Sequence, residues 1–385
     1  MIASEGHTPF DRTKLSKALI DDHSKIALRD EAWFNDANVD VVYDQVTNIA
    51  FDSKNIATKG GNSFSYTKLV LATGGSPKNL PMEGFKDLSN IFLLRTIPHV
   101  KDIVSAIGSK NKKIVVIGSS FIGMEVANAT GKENDVTVIG MESTPLERVL
   151  GAEVGKVIQT QIESSGIKFK LSAGVEKAIP SKSDPSKVGG VVLKDGTTLE
   201  ADLVILGIGV SPQTYYLQDN SAIKLEKDGS IKTNEHFLVD GQKDIYAIGD
   251  IATYPYHGPG GSGSLTRIEH WNVAQNAGRA AASHILTPNS PPKNFTPIFW
   301  SALGSQLRYC GNTPNGWDEL VLKGQPKEGK FAAYYCKGDT VVAVATMGMD
   351  PIMSQCSELM RRGVMPGKKE IDGGVDVLGI SVPAM

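Results

Sequence analysis

Short apolar runs alternate with helical stretches along most of the chain, and several of these runs end at a glycine. Residues 113–117 and 135–139 are almost continuously apolar, which is typical of strands covered on both faces of a parallel sheet. The stretch 121–130 between them has helical character, so residues 113–139 predict one βαβ unit of about 30 residues. This pattern predicts an α/β fold.

Similar apolar runs at 39–43, 68–72, 201–207 and 244–250 predict four further strands. We expect a glycine- and proline-rich loop at 254–264, an alanine-rich helix at 270–285 and a linker at 288–292. Because a single core stops growing at about 250 to 300 residues, a chain of 385 residues predicts more than one domain.

Composition excludes several classes of function. The chain is 41% hydrophobic and has 40 basic and 42 acidic residues, a formal charge of −2, which indicates no nucleic-acid or membrane-surface partner. No apolar run approaches the ~18 to 20 residues of a membrane-spanning helix, and residues 1–9 lack the blocks of a signal peptide. We therefore expect a cytoplasmic protein without a membrane span. A mitochondrial location is the alternative, because a targeting segment would lie upstream of Met1.

The three cysteines, Cys310, Cys336 and Cys356, are too far apart in sequence for a CxxC pair or a zinc knuckle. We interpret them as small buried apolar residues. The histidines show no metal-ligand spacing, so no metal site is predicted. A disulfide reductase would need a cysteine pair next to the flavin or within the nicotinamide domain. No cysteine precedes Cys310, which argues against a disulfide reductase.

Residues 118–123 (GSSFIG) follow a predicted buried strand and begin a predicted helix. Glycines in this position allow a tight turn, and the amides of the helix N-terminus face a bound pyrophosphate. The middle glycine of the GxGxxG pattern is replaced by Ser120. The turn therefore predicts a dinucleotide site, with a plain βα turn as the alternative.

The end of the second strand of the predicted βαβ unit, at residues 135–139, bears on the choice between NADH and NADPH. An acid that binds the ribose of NAD is expected about 20 residues after the first glycine, where this chain has Gly140, with Glu142 two positions later. Loss of the acid removes repulsion toward a 2′-phosphate, and Arg148 follows closely. NADPH and NADH remain equal alternatives at this point.

Residues 9–17 (PFDRTKLSK) resemble the flavin-proximal segment of oxygenase-coupled ferredoxin reductases and their apoptosis-inducing-factor-like relatives, and most resemble the latter branch. Similar segments recur in order along nearly the whole chain, at 72–74 (ATG), 94–96 (LRT), 118–125, 207–209 (GIG), 246–250 (YAIGD), 270–275 and 299–301 (FWS).

The resemblance implies roles for individual residues. Arg12 and Lys17 would lie along the flavin, and Glu125 would pair with Lys17 near flavin N5, where a cation stabilises the anionic reduced ring. Lys17 and Glu125 are thus the expected catalytic residues. Asp250 would bind FAD, and His270 would pack or contact the flavin without acting as acid or base. The complete set of expected cofactor-binding residues is Arg12, Lys17, Ala72, Thr73, Gly74, Arg95, Gly118, Ser120, Phe121, Ile122, Gly123, Glu125, Gly207, Gly209, Gly249, Asp250, His270, Trp271 and Trp300.

The resemblance also implies the architecture: two Rossmann-like domains binding FAD and NAD(P), plus a C-terminal α+β interface domain. The expected boundaries are 1–98 with 231–294 for FAD, 99–230 for NAD(P)H and 295–385 for the interface domain. Relatives begin with a strand and GxGxxG turn for the ADP half of FAD, and this unit is not in the sequence, so we expect the first domain to be incomplete.

The implied function is an FAD-dependent NAD(P)H oxidoreductase that passes electrons from the reduced flavin to an iron-sulfur protein or a quinone, as a monomer or homodimer. The alternative is a truncated, redox-inactive NAD(P)-binding or apoptosis-related signalling protein.

Overall fold

The structure, a computed structural model, describes residues 1–382. Its elements are numbered in chain order. The α-helices of this part of the chain are α1 Thr13–Lys17, α2 Glu31–Asp36, α3 Ile97–Ile107, α4 Phe121–Thr130, α5 Glu147–Glu163, α6 Trp271–Leu286, α7 Ile352–Arg362 and α8 Lys368–Asp372. Its strands are β1 Val46–Ala50, β2 Asn55–Thr58, β3 Ser63–Ser65, β4 Leu69–Leu71, β5 Gly75–Pro77, β6 Ile91–Leu93, β7 Lys113–Ile117, β8 Asp135–Ile139, β9 Lys168–Lys170, β10 Val175–Pro180, β11 Val188–Leu193, β12 Thr198–Glu200, β13 Leu203–Leu206, β14 Val210–Pro212, β15 Ile231–Lys232, β16 Ile245–Ala247, β17 Ala252–Tyr256, β18 Ser264–Thr266, β19 Ile298–Ala302, β20 Gln306–Gly311, β21 Glu319–Gln325, β22 Lys330–Lys337 and β23 Thr340–Met347.

The chain divides into two compact units. Unit 1 contains Met1–Gln45, Ser76–Val210 and Ser301–Gly304. Unit 2 contains Val46–Gly75, Ser211–Trp300 and the described residues from Ser305 onward. The three-domain division drawn from the sequence stays a prediction.

Unit 1 is organised by a five-stranded parallel sheet in the order β6-β13-β7-β8-β9. All four residues of β13 and the last four of β7 are buried, as expected of central strands covered on both faces. The antiparallel sheet β10-β11-β12 packs its apolar side chains into one cluster with residues of β7 and β13. This cluster is the part of the core that supports the carboxyl ends of the central strands.

Unit 2 contains three small sheets and one large one. The small ones are β1-β2-β3, the parallel pair β4-β16, and β15-β17-β18. The large one has the order β19-β20-β23-β22-β21. Helix α7 buries Met353, Cys356, Leu359 and Met360, which are three or four positions apart and so share the helix face that packs on this sheet.

The predicted α/β class is confirmed, and the βαβ unit has the predicted bounds, with β7, α4 and β8 at Lys113–Ile117, Phe121–Thr130 and Asp135–Ile139. The strand predicted at 39–43 is wrong, because Val42 forms only an isolated bridge to Ile2. The loop predicted at 254–264 begins too early. Residues Ala252–Tyr256 form a strand with alternating burial, since the aromatic rings of Tyr254 and Tyr256 face the core.

Candidate functional site

Gly118, directly after β7, and Gly123, in the first turn of α4, pack closely against each other and against Gly207, directly after β13. Gly118 has φ +111°, a conformation that residues with a side chain rarely adopt. A Cβ on Gly118 would collide with the carbonyl oxygen of Gly207, and a Cβ on Gly123 would collide with that of Gly118. A Cβ on Gly207 would lie 2.7 Å from the α-carbon of Gly123. The close packing lets the N-terminus of α4 begin directly above the ends of β7 and β13, as a dinucleotide site requires.

The remaining residues of this turn fit the same interpretation. Ser120 is the exposed N-cap of α4, in extended conformation, and its side chain makes no capping hydrogen bond. Phe121 and Ile122 form the start of the helix. Gly209 has φ +92° and open space where a side chain would be, so backbone there can be approached closely.

The end of β8 lies beside this turn. A Cβ on Gly140 would lie 2.8 Å from Cβ of Ser119, so no acid can occupy position 140 without displacing the turn. Glu142 instead reaches back, and its Oε2 accepts a hydrogen bond of 3.4 Å from Ser119 Oγ. Its Oε1 is 2.6 Å from Nε of Arg148. The arginine that sequence analysis left available for a 2′-phosphate is therefore engaged by the carboxylate.

Helix α1 packs against α4 and places Lys17 beside Glu125. The side chain of Asp11 accepts hydrogen bonds from the amide (3.1 Å) and hydroxyl (2.7 Å) of Thr13 and so fixes the start of α1. Nζ of Lys17 lies 2.9 Å from Oε1 of Glu125, and the two side chains are only 15% and 5% exposed. A buried carboxylate on an otherwise apolar helix face therefore has a buried cation as its partner.

Two serines complete the surroundings of Glu125, and sequence analysis missed both. Ser16 donates a short hydrogen bond to Oε2 of Glu125. Ser301 donates a hydrogen bond of 2.6 Å to Oε1. Both serines are almost fully buried. Each serine lies beside an apolar residue within one of the segments 9–17 and 299–301, which was the available sign of its burial. No spacing rule connects either serine with Glu125, because these positions are far apart in the sequence.

Arg12, also expected to contact the flavin, is held by groups of unit 1. Its guanidinium donates to the carboxylate of Glu5, at 2.6 Å and 3.2 Å, and to the carbonyl oxygen of Arg95 at 2.6 Å. It also lies over the ring of Phe10, 4.6 Å from the centroid. The structure thus brings Arg12 and Arg95 together, while their contacts with a cofactor stay predictions.

In unit 2, two expected cofactor segments follow adjacent parallel strands. Residues 72–74 come after β4 and residues 248–250 come after β16, which pairs with β4 in parallel. Gly74 and Gly249 both have φ +70°. Thr73 Oγ1 donates to the carbonyl oxygen of Gln213 at 2.7 Å and is 3.3 Å from the hydroxyl of Tyr216. Ala72, Thr73 and Gly74 therefore form a turn at the carboxyl edge of these strands, where ligands of α/β sheets bind.

Asp250 is anchored by an arginine that sequence analysis did not identify. Nη1 of Arg267 donates to the carbonyl oxygen of Asp250 (3.1 Å) and to Glu269 (2.5 Å), and its Nε donates to Asp228 (2.8 Å). Arg267 thus connects the turn that carries Asp250 to the start of α6.

His270 is the N-cap of α6, and its Nδ1 accepts a hydrogen bond of 3.2 Å from the amide of Asn272. The ring of His270 packs edge-on against that of Trp300, with centroids 5.1 Å apart. Trp271 also packs edge-on against the ring of Trp300, with centroids 5.5 Å apart. These three residues form one aromatic cluster in unit 2. A contact between His270 and the flavin stays a prediction.

The cysteines are all buried and unpaired. Burial raises the pKa of Cys356 to about 12 and that of Cys336 to about 11, so neither thiol is a reactive thiolate at neutral pH. Residues 1–382 contain no group of three or more His, Cys, Asp or Glu side chains placed to hold a metal ion. No helix in this range is both long and apolar enough to cross a membrane.

A glycine turn between the carboxyl end of a central parallel strand and the helix that follows it is typical of dinucleotide-binding α/β proteins. Comparison with known sequences agrees: the profile of the pyridine nucleotide-disulphide oxidoreductase family matches residues 1–278, and that of the reductase C-terminal family matches residues 298–376. The chain belongs to the pyridine nucleotide-disulphide oxidoreductase family. The cofactors of this family are FAD and NAD(P)H.

Individual relatives support this placement. The chain is 34% identical to human apoptosis-inducing factor 3 over 369 residues, which is 95% of this chain and 59% of the human protein. It is 30% identical to rubredoxin-NAD(+) reductase of Pseudomonas putida, covering 91% of this chain and 89% of that one. A solved ferredoxin reductase from Rhodopseudomonas palustris superposes with a TM-score of 0.88 at 25% identity, covering 96% and 89% of the two chains. The chain thus spans well under two thirds of the human relative.

Proposed function

We propose that this chain is an FAD-dependent NAD(P)H oxidoreductase that delivers electrons to an iron-sulfur protein, with a quinone as the alternative acceptor. The observation that carries the proposal is the buried ion pair, 2.9 Å long, between Lys17 on α1 and Glu125 on α4, the helix that begins at the glycine turn of residues 118–123. A purely structural protein gains little from such a pair, because the desolvation of two charges offsets their attraction.

The residues present fit the two cofactors. The contacts among Gly118, Gly123 and Gly207 leave room only for backbone, which is what a pyrophosphate against a helix N-terminus requires. Lys17 has three N–H donors, and among residues 1–382 its ammonium pairs with Glu125 alone. A largely buried ammonium with donors to spare suits an electron-rich ring system. The other expected flavin residues, in both units, remain proposals on the strength of the resemblance.

FAD, when bound, supplies the hydride acceptor and the one-electron donor. The protein supplies charge and position. The Lys17 ammonium would supply a positive charge that stabilises a reduced, anionic flavin, and the Glu125 carboxylate, 2.9 Å away, holds that ammonium in place. The turn at 118–123 would hold the pyrophosphate of the nicotinamide nucleotide.

We propose NADH rather than NADPH as the donor. The carboxylate of Glu142 lies at the turn, 3.4 Å from Ser119 Oγ, where it would repel a 2′-phosphate. Arg148, the nearby cation, is paired with this carboxylate at 2.6 Å. The name of the relative from P. putida also refers to NAD(+).

The proposed acceptor follows from the names of relatives. One acts on rubredoxin and another is a ferredoxin reductase, and both names refer to iron-sulfur proteins. The domain boundaries proposed for this function are those drawn from the sequence: 1–98 with 231–294 for FAD, 99–230 for NAD(P)H and 295–385 for the interface domain.

The deciding experiment is the visible spectrum of the purified chain, recorded anaerobically with FAD and then with NADH or NADPH. We expect a flavin band that NADH bleaches. Glu125→Gln should slow the bleaching at saturating NADH while NADH still binds. A protein that FAD cannot colour, yet that binds NADH, would overturn the proposal in favour of a redox-inactive nucleotide-binding protein.

A further inference from the structure

We propose that Ser16 and Ser301 are positioning residues for the Lys17–Glu125 pair: their hydroxyls fix the orientation of the Glu125 carboxylate, which in turn holds the ammonium of Lys17. This inference rests on the proposed function only where it concerns the flavin. The arrangement of the four side chains is a property of unit 1 itself.

The two serines approach opposite oxygens of the carboxylate. Ser16 donates to Oε2, and Ser301 donates to Oε1 at 2.6 Å. Lys17 approaches Oε1 at 2.9 Å. Both oxygens are therefore held, which prevents the carboxylate from rotating about its terminal bond.

The side chains in this cluster come from three separate segments of the chain. Ser16 and Lys17 are adjacent on α1, whereas Ser301 belongs to β19 and Glu125 to α4. Glu125, Ser16 and Ser301 are 4%, 8% and 3% exposed, so water cannot replace a lost hydroxyl without entering the core. A buried carboxylate that loses one donor retains an unsatisfied oxygen, which is costly.

The serines also affect how many N–H donors of Lys17 remain available to a ligand. A carboxylate with a single partner would draw the ammonium fully toward itself. Because two neutral hydroxyls share the stabilisation of the carboxylate, Lys17 need not direct all three of its N–H donors at Glu125, and donors remain for a ligand. Ser16 and Ser301 thus act on the reaction through Lys17 and need not touch the cofactor.

The first test needs no cofactor. The free energy of unfolding of the FAD-free chain is measured for Ser16→Ala and Ser301→Ala, each alone and combined with Glu125→Gln. With Glu125 present, we expect each serine substitution to shift the unfolding equilibrium by roughly 10- to 100-fold, as for hydrogen bonds to charged groups. In the Glu125→Gln background the shift should be only a few-fold. Ser357→Ala, a buried serine on α7, is the matched control whose effect should not depend on residue 125.

The second test uses the FAD-loaded chain at a temperature where every variant is folded. We expect Ser301→Ala and Ser16→Ala to slow flavin reduction at saturating NADH about tenfold, with the Kd of NADH unchanged, since positioning affects the reaction step rather than nucleotide binding. Ser301→Thr, which keeps the hydroxyl, should restore most of the rate.

Each outcome decides between interpretations. Equal losses of stability with Glu125 present and in the Glu125→Gln background would show that the hydroxyls do not act through the carboxylate. Stability coupling with an unchanged reduction rate would show a purely structural role, and either result overturns the inference. If the unaltered chain binds no FAD, the proposed function fails, while the unfolding measurements still decide whether the serines hold Glu125.

Discussion

Two ion pairs lie near the glycine turn at 118–123 in unit 1, and they differ more in the exposure of their side chains than in length. Lys17 and Glu125 are 2.9 Å apart with side chains 15% and 5% exposed, whereas Arg148 and Glu142 are 2.6 Å apart with side chains 75% and 22% exposed. The shorter pair is the more hydrated, so its charges are screened and its contribution to stability is small. Burial rather than distance decides which pair contributes more to stability.

The two ion pairs also differ in how firmly their side chains are held. The buried pair is fixed by additional hydrogen bonds from Ser16 and Ser301, so its charges cannot move apart without leaving buried groups unsatisfied. The exposed pair has one extra contact, from Ser119. This difference supports our proposals that the buried pair acts in the reaction step and the exposed pair in the choice of nucleotide.

The largest expected effect is on the buried pair. Glu125→Ala leaves a buried ammonium and two buried hydroxyls without their acceptor, so the free energy of unfolding should fall by about 3 kcal/mol or more. Urea unfolding of the FAD-free chain measures this. Asp135→Ala, which breaks the exposed pair with Lys168 (2.8 Å), is the control and should cost no more than about 1 kcal/mol. Equal losses for the two variants would remove the distinction drawn from burial.

An intermediate effect is expected at the exposed pair. Glu142→Ala removes the repulsive carboxylate and frees Arg148, so kcat/KM with NADPH relative to NADH should rise about tenfold, roughly 1.4 kcal/mol. Steady-state kinetics with the two nucleotides gives the ratio. Glu200→Ala removes the same charge near Lys113, at the opposite end of β7, and should leave the ratio unchanged. A ratio that does not respond to Glu142→Ala would contradict its role in selecting NADH.

The smallest effect concerns His99, at the start of α3 in unit 1. Burial lowers the pKa of His99, against the opposing influence of Asp102 and Glu5. The unfolded chain therefore takes up a proton near the ordinary value of about 6.5 while the folded chain does not, and stability is lost as pH falls from that value toward the lower folded pKa. Unfolding measured at pH 7.5 and 5.5 should show a smaller decrease for His99→Gln than for the unaltered chain. An identical decrease would show that His99 does not contribute.

Sequence reasoning was most successful where one local pattern decides the structure. The run from Lys113 to Ile139 has a single interpretation, because apolar strands and a helix of suitable length joined by a glycine turn form a βαβ unit. It failed at 39–43, where an apolar run lacks a neighbouring strand to pair with and forms only one bridge. It also missed β17, because the proline and glycines around Tyr254 and Tyr256 favoured a loop and concealed their alternating burial.

The sequence by itself determined the α/β class, the position of the glycine turn at 118–123 and, through resemblance, the expected partnership of Lys17 with Glu125, because each depends on residues within one short segment or on segments shared with a family. Only the tertiary structure decided that Ser16 and Ser301 hold both oxygens of Glu125, that Glu142 returns to the turn, and that Arg267 anchors the backbone of Asp250. These contacts join residues distant in sequence, and a buried polar group reveals its partners only when the packing around it is known.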